Sequence, residues 1–241
     1  MSGTYRLSVV ICAVDETASL ERTFRKLDAY HAACEYVFVL SRSCTPACLE
    51  TVKRLCERSD CRWVYQTGSG FGGAIRDSFS LVSGTHMVIW SADEGTDTAS
   101  FPEMVRLSRE NPAAVIKISR WLQKDGFEGY GRVKKAINYV SQRAFGLLYG
   151  SRLTEFTNPT QIAPVALYRR IRWERTDFAF LPQLVLKPLR LGVAIIEVPT
   201  KNVPRAEGRS HNSFKGLVMY YYMILKIRFT PPAELTEEEH A

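Results

Sequence analysis

Apolar and polar positions alternate between two periods along the first half of the chain. "RLSVVICAV" (6–14) is a short apolar run rich in β-branched residues, the pattern of a strand buried on both faces. "DETASLERTFRKLDAY" (15–30) then places Leu20, Phe24 and Leu27 at helical spacing. The alternation continues with strands at 35–40, 61–66, 85–91 and 113–119. Between them lie helical patterns at 45–58, opened by Thr-Pro, at 73–82 and at 98–110. Strand and helix in strict alternation predict a parallel sheet with helices on both faces.

The second half is less regular. Residues 130–150 pattern as a long amphipathic helix, "TEFTNPTQIAP" as a loop, and 177–192 as a helix with Gly192 past its end. Residues 193–199 read as a strand, 202–213 as a polar loop, 214–229 as a helix, and "TPPAELTEEEHA" as a frayed acidic tail. No internal repeat and no linker divides the chain.

Composition narrows the function classes. Apolar residues make up 46% of the 241, enough for a sizeable core. The net charge of +7 suits phosphorylated ligands or an anionic membrane. The basic residues are dispersed, so nucleic acid is not an expected partner. Cys12, Cys34, Cys44, Cys48, Cys56 and Cys61 show neither C-x-x-C spacing nor a nearby His, so free thiols are expected rather than zinc. No signal-peptide pattern and no long uninterrupted apolar stretch is present, which points to a cytoplasmic chain.

Two motifs carry candidate chemistry. "TGSGFGGAIRD" (67–77) contains Gly68, Gly70 and Gly73 in G-x-G-x-x-G spacing, and Asp93 lies 20 residues beyond Gly73. That is the arrangement of a dinucleotide fingerprint with its ribose-binding acid. However, two strand–helix units precede it. "SADEGTD" (91–97) groups Asp93, Glu94 and Asp97, and an acid cluster suits a divalent cation on a diphosphate better than a ribose. The plain alternative is a solvated loop, with Asp97 capping the next helix.

Further segments match a known family in order. "VVICAVDET", "GSGFGGAIRDSFSLVSG", "VIWSADEGTD", "LTEFTNPTQIAPVALYRR" and "EVPTKNVPRAEGRSHNS" together resemble the inverting GT-A glycosyltransferases of family 2. The likeness is greatest to dolichol-phosphate mannose synthase-like and bacterial polyprenyl-phosphate enzymes. The last segment is the most specific, with Glu197, Pro199, Arg205, Gly208 and Ser210 in register.

The resemblance implies a single GT-A domain over 1–230 with a mostly parallel central sheet. Residues 1–120 would form the nucleotide-sugar half, 121–212 the acceptor side, 213–230 an amphipathic helix, and 231–241 an acidic tail. Ala13, Asp15, Glu16, Ser41, Gly70, Gly72, Ala74, Ser91, Ala92 and Asp93 would border the nucleotide-diphosphate sugar. Asp93, with Glu94 second, would hold Mg²⁺ or Mn²⁺. Arg205, Arg209, Ser210 and His211 would grip an acceptor phosphate, since Arg binds phosphate bidentately. His211 stands where the family often has Lys and is fully charged only below about pH 6.5. Glu155 would orient arginines or act as base toward a hydroxyl acceptor; pairing with a nearby Arg is the plain alternative.

The resemblance also implies a polyprenyl-phosphate or other membrane-associated glycan acceptor, reached from the cytoplasmic membrane face. The helix at 214–229, with Tyr220, Tyr221 and Tyr222 in a row, reads equally as a membrane-surface helix or a core-packing one. The sequence departs from the family at Ser41, Arg42 and Ser43, where acids are usual, and at Ser91 and Gly95 around the metal motif. Three readings stand: an active transferase, a weak or inactive accessory subunit with a membrane-protein partner, and an NAD(P) oxidoreductase.

Overall fold

A computed structural model describes residues 4–204 and 214–237. Its strands are β1 (Leu7–Ala13), β2 (Glu35–Leu40), β3 (Cys61–Tyr65), β4 (His86–Ser91), β5 (Val115–Ser119), β6 (Gln161–Pro164) and β7 (Ile195–Pro199). They form one sheet in the order β3-β2-β1-β4-β6-β5-β7. β6 runs antiparallel to both its neighbours; every other pairing is parallel. The helices are α1 (Ala18–Asp28), α2 (Pro46–Leu55), α3 (Gly70–Leu81), α4 (Phe101–Glu110), α5 (Arg132–Tyr149), α6 (Val165–Arg170), α7 (Leu181–Arg190) and α8 (Phe214–Phe229).

Period-two alternation in the strands builds a core on each face. Leu7, Val9 and Ile11 of β1 join Phe38 and Trp90 beneath α1, α2 and α4. Val10 points the other way, with Val37, Val39 and Ile89, into a layer of α3, α6, α7 and α8. Local signals fix the helix starts. Thr45 Oγ1 accepts from Cys48 N at 3.2 Å, capping α2 where Pro46 fills the first turn.

β1 lies between β2 and β4, and the chain leaves it in opposite directions. Ala13 is level with Leu40, and Cys12 with Ser91. Three loops therefore emerge side by side at the carboxyl ends of these strands. In an open α/β sheet this switch point is where ligands bind.

The structure differs from the sequence expectations in two places. The stretch expected as a loop contains β6 and runs directly into α6. The tail expected to fray is docked as far as Glu237. Leu235 is fully buried, Arg172 N donates to its carbonyl at 2.9 Å, and Glu237 N donates to Arg170 O at 2.9 Å.

Candidate active site

The glycine turn leaves the carboxyl end of β3, on the same edge of the sheet as the switch point, and its Asp77 is near enough to Cys12 of β1 to add to burial in raising that thiol. β3 is the outermost strand on its side of the sheet. Asp93 stands beyond the end of β4, with β2 and β1 between the two. The turn's amides are also engaged within the protein. Asp77 Oδ2 accepts from Gly68 N at 3.2 Å and also from Thr67 N, and Thr176 O accepts from Gly73 N at 3.0 Å. A dinucleotide pyrophosphate would need such amides for itself.

The glycines are required by the chain packed over them. A Cβ on Gly72 would lie 2.4 Å from Phe180 Cβ, and one on Gly70, where φ is +72°, 2.8 Å from Thr176 O. Gly72 and Ala74 are buried and Ala74 belongs to the core, so neither borders a nucleotide. Both leave the expected binding set for that reason; Gly70 remains exposed at the surface.

At the switch point, the other expected residues do assemble. Ala13 ends β1, and Asp15 and Glu16 follow in the loop. Glu16 Oε2 accepts from Val14 N at 2.9 Å and Asp15 N at 3.2 Å, which shapes that loop. Ser41 N donates to Ala13 O at 3.1 Å and Thr45 N to Val14 O at 2.9 Å, joining the loops after β1 and β2. On the other side of β1, Ser91, Ala92 and Asp93 leave β4. Asp93 is 7% exposed. Its Oδ1 accepts from Gly95 N at 2.9 Å and from the Ser91 hydroxyl.

The neighbouring acids are committed elsewhere. Glu94 sits at φ +56° and pairs with Arg22 and Lys26 of α1, each at 2.7 Å. Partial burial opposes its charge, but hydrogen bonds from Arg22 and Lys26 outweigh it and hold the carboxyl below its ordinary range. Asp97 caps the short helical turn Thr98–Ser100, accepting from Ala99 N at 3.0 Å. Among the described residues, no three His, Cys, Asp or Glu side chains group to hold a cation by themselves. The donor set among the described residues is thus one carboxylate, Asp93. It fits a divalent cation that arrives with a diphosphate, whose oxygens complete the shell. Glu94, expected as a second ligand, is instead an ion-pair partner of α1.

Of the roles expected of Glu155, the structure agrees with pairing to an arginine and not with a base. Glu155 is fully buried. Arg120 clamps it bidentately, Nε to Oε2 at 2.8 Å and Nη2 to Oε1 at 3.0 Å. Thr157 N adds a third donor at 3.1 Å. Burial opposes the charge, yet Arg120, Lys117 and Thr157 outweigh it and keep the carboxyl below its ordinary range. A carboxylate so sealed is not placed to take a proton from an acceptor. Sequence reasoning missed Lys117 and Arg120 of this cluster, and gave Glu197 only as a motif position. Lys117 of β5 is fully buried, donates to Asn158 O, and is pushed down to about 8 by burial against the pull of Glu155 and Glu197. Glu197 binds Thr154 N at 2.9 Å and Glu155 N at 2.8 Å. Its carboxyl is pushed up by burial, which outweighs those donors.

Arg205, Arg209, Ser210 and His211 lie outside the described residues. The segment leading to them is tied to the switch point. Lys201 O accepts from Asp97 N at 3.2 Å, and Val203 N donates to Gly95 O at 3.2 Å. On the far side, Asn202 N donates to Gly126 O at 2.9 Å.

Among curated proteins, none matches this sequence. Solved structures do resemble the fold. Glucosyl-3-phosphoglycerate synthase from Mycobacterium tuberculosis, in complex with Mn²⁺, UDP and phosphoglyceric acid, superposes with a TM-score of 0.70 at 17% identity. That match covers 95% of this chain and 80% of that one. The same synthase with Mg²⁺ and UDP gives 0.68 at 18% identity, covering 95% and 81%. The complex with Mn²⁺, UDP-glucose and phosphoglyceric acid likewise gives 0.68 at 18%, with the same coverage. The sequence pattern of glycosyl transferase family 2 matches residues 8–172, from the start of β1 to just past α6, and the chain belongs to that family.

Proposed function

We propose that this chain transfers a sugar, with inversion, from a nucleotide-diphosphate donor to an acceptor phosphate at the cytoplasmic face of a membrane. The observation that carries this reading is the tie between Val203 and Gly95. Val203 is two residues before Arg205, and Gly95 is two residues after Asp93. That tie supports the reading that the segment following Val203 serves the site of Asp93.

The roles follow from position. The loops after β1 and β2, with Ala13, Asp15, Glu16 and Ser41, border the nucleoside. Asp93 would hold Mg²⁺ or Mn²⁺, and the cation would neutralise charge on the departing diphosphate. Arg205 and Arg209, with Ser210 and His211, orient the acceptor. The acceptor oxygen attacks the anomeric carbon from the face opposite the departing diphosphate, which inverts the configuration. A hydroxyl acceptor needs a general base, and Glu155 is sealed against Arg120. A phosphate oxygen is already anionic and needs only cations to align it. That favours polyprenyl phosphate. A second reading, a small phosphorylated acid, is favoured by the likeness to structures solved with phosphoglyceric acid.

Calorimetry with UDP, GDP, CDP and dTDP, with and without Mn²⁺, tests the donor site. One diphosphate should bind only with the metal, and Asp93→Asn should remove that dependence. Transfer assays with polyprenyl phosphate and with phosphoglyceric acid then separate the two acceptors. If no nucleotide binds, an accessory subunit of a glycan pathway becomes the better reading. Metal-independent binding of NAD would return the question to the glycine turn.

A further inference from the structure

α5 exposes an apolar seam to solvent. Val133, Ile137, Val140 and Leu147 are 74%, 61%, 65% and 85% exposed. With Ala144 they recur at alternating steps of four and three, a continuous stripe along the helix. The opposite face, through Gln142 and Phe145, is buried. α8 lies alongside. Tyr221 Oη meets Ser141 Oγ at 3.1 Å, and the Tyr149 hydroxyl donates to Ile224 O at 2.5 Å. α8 also turns apolar side chains outward, with Leu225 51% and Phe229 74% exposed. Soluble monomers rarely leave apolar stripes of this kind uncovered.

Charge decides what covers the seam. Residues 129–154 contain Arg132, Lys134, Lys135, Arg143 and Arg152 and no acid. Residues 214–229 contain three further basic residues and again no acid. Arg132, Lys134 and Arg143 are exposed on the helix that carries the seam. A second copy of this chain would set like charge against like charge. Glu174, paired with Lys226, and Glu234, beside Leu225 and Phe229, lie at the α8 end, so the cations of α5 set the charge along the stripe. An apolar stripe on a helix that carries cations and no acid matches an anionic bilayer surface, where the apolar side chains enter the acyl boundary and the cations meet the headgroups.

We infer that α5, flanked by α8, is a docking face for anionic lipid membranes. Unlike the terminal helix singled out by sequence, α5 supplies most of the exposed aliphatic surface and cations. The inference rests on exposure and charge and does not need the acceptor proposed above.

Flotation of the full chain with vesicles tests it. One set contains phosphatidylcholine alone and the other adds phosphatidylglycerol; neither holds any polyprenyl phosphate. The chain should float with the anionic vesicles, release as salt is raised, and stay behind with the neutral ones. Lys134→Ala with Arg143→Ala should weaken binding by roughly 5-fold per cation removed. Ile137→Asp with Val140→Asp, at exposed positions, should abolish flotation while leaving the circular-dichroism melt unchanged. No flotation at low salt, equal flotation with both vesicle types, or full flotation of the Ile137→Asp, Val140→Asp variant would each overturn the inference. So would a dimer, seen by sedimentation, that the same variant dissolves, because a second copy would then be the occupant. Every arm is read without nucleotide or acceptor, so failure here leaves the transferase reading intact.

Discussion

Replacing Glu155 by Gln separates a structural carboxylate from a catalytic one. In the wild type, the carboxylate is fully buried and the Arg120 side chain only 10% exposed. Glu155→Gln keeps the shape and removes the charge. Arg120 then remains buried with no anion in its clamp, and Lys117 loses one of the two carboxylates that support its charge. Breaking one side of a buried pair costs about 3–5 kcal/mol. With a urea m-value of roughly 3 kcal/mol/M for a chain of this size, the unfolding midpoint should fall by about 1–1.7 M. Arg120→Met should cost a similar amount, because it strands Glu155. The double variant should lose less than the two together, with a coupling of about 0.5–3 kcal/mol.

Acid should erase the difference between wild type and Glu155→Gln. The folded carboxyl lies below its ordinary range. Its contribution is therefore complete above the unfolded value near pH ~4.3 and is lost as pH falls through the folded value. The reasoning fails if Glu155→Gln unfolds at the wild-type midpoint and still loses transfer by orders of magnitude. Glu155 would then be acting on substrate.

Two further outcomes follow from the geometry. Gly72→Ala puts a methyl 2.4 Å from Phe180 Cβ, so thermal unfolding should show a loss of about 1–3 kcal/mol, and an unchanged melt would contradict the packing role. Lys117, at about 8 when folded against ~10.4 when unfolded, binds its proton more weakly in the native state. Wild type should therefore gain stability relative to Lys117→Met as pH rises from about 8 toward ~10.4. The comparison matters because Cys56 and Cys61, raised to about 11 and about 12 by burial, act in the opposite sense in both proteins. A flat difference curve across that window would show that Lys117 is not held as described.

The first half of the fold was legible because its strands are apolar on both faces and its helices are strongly amphipathic. β6 was hidden by its own chemistry. Thr160 and Gln161 are buried polar residues, and Gln161 Nε2 is satisfied by Tyr168 and by Leu184 O, partners that local pattern cannot reveal. The glycine motif misled for a related reason. A missing side chain makes room equally for a ligand or for another part of the chain, here Thr176 and Phe180, about a hundred residues away. Glu155 was identified as a functional carboxylate, but its Arg120 partner lies 35 residues upstream. The acid cluster at 93–97 was legible as a group and not as individuals. Only tertiary contact turns Glu94 to α1, while the capping role of Asp97 is local and was readable.

The serine at position 91 changes how Asp93 can work. Two carboxylates side by side repel each other unless a cation lies between them. Here the Ser91 hydroxyl and Gly95 N–H both donate to Asp93 Oδ1, so two neutral groups help to orient it. In exchange the site offers, among the described residues, one carboxylate, and a hard cation takes six or more oxygens. The others must come from a diphosphate and water. Mn²⁺ titrated alone should therefore show no saturable site, while Mn²⁺ and the nucleotide should each raise the other's affinity by the same factor. Ser91→Asp should gain affinity for Mn²⁺ alone. If wild type binds Mn²⁺ as tightly without nucleotide as with it, the cation is held by residues other than those at the end of β4.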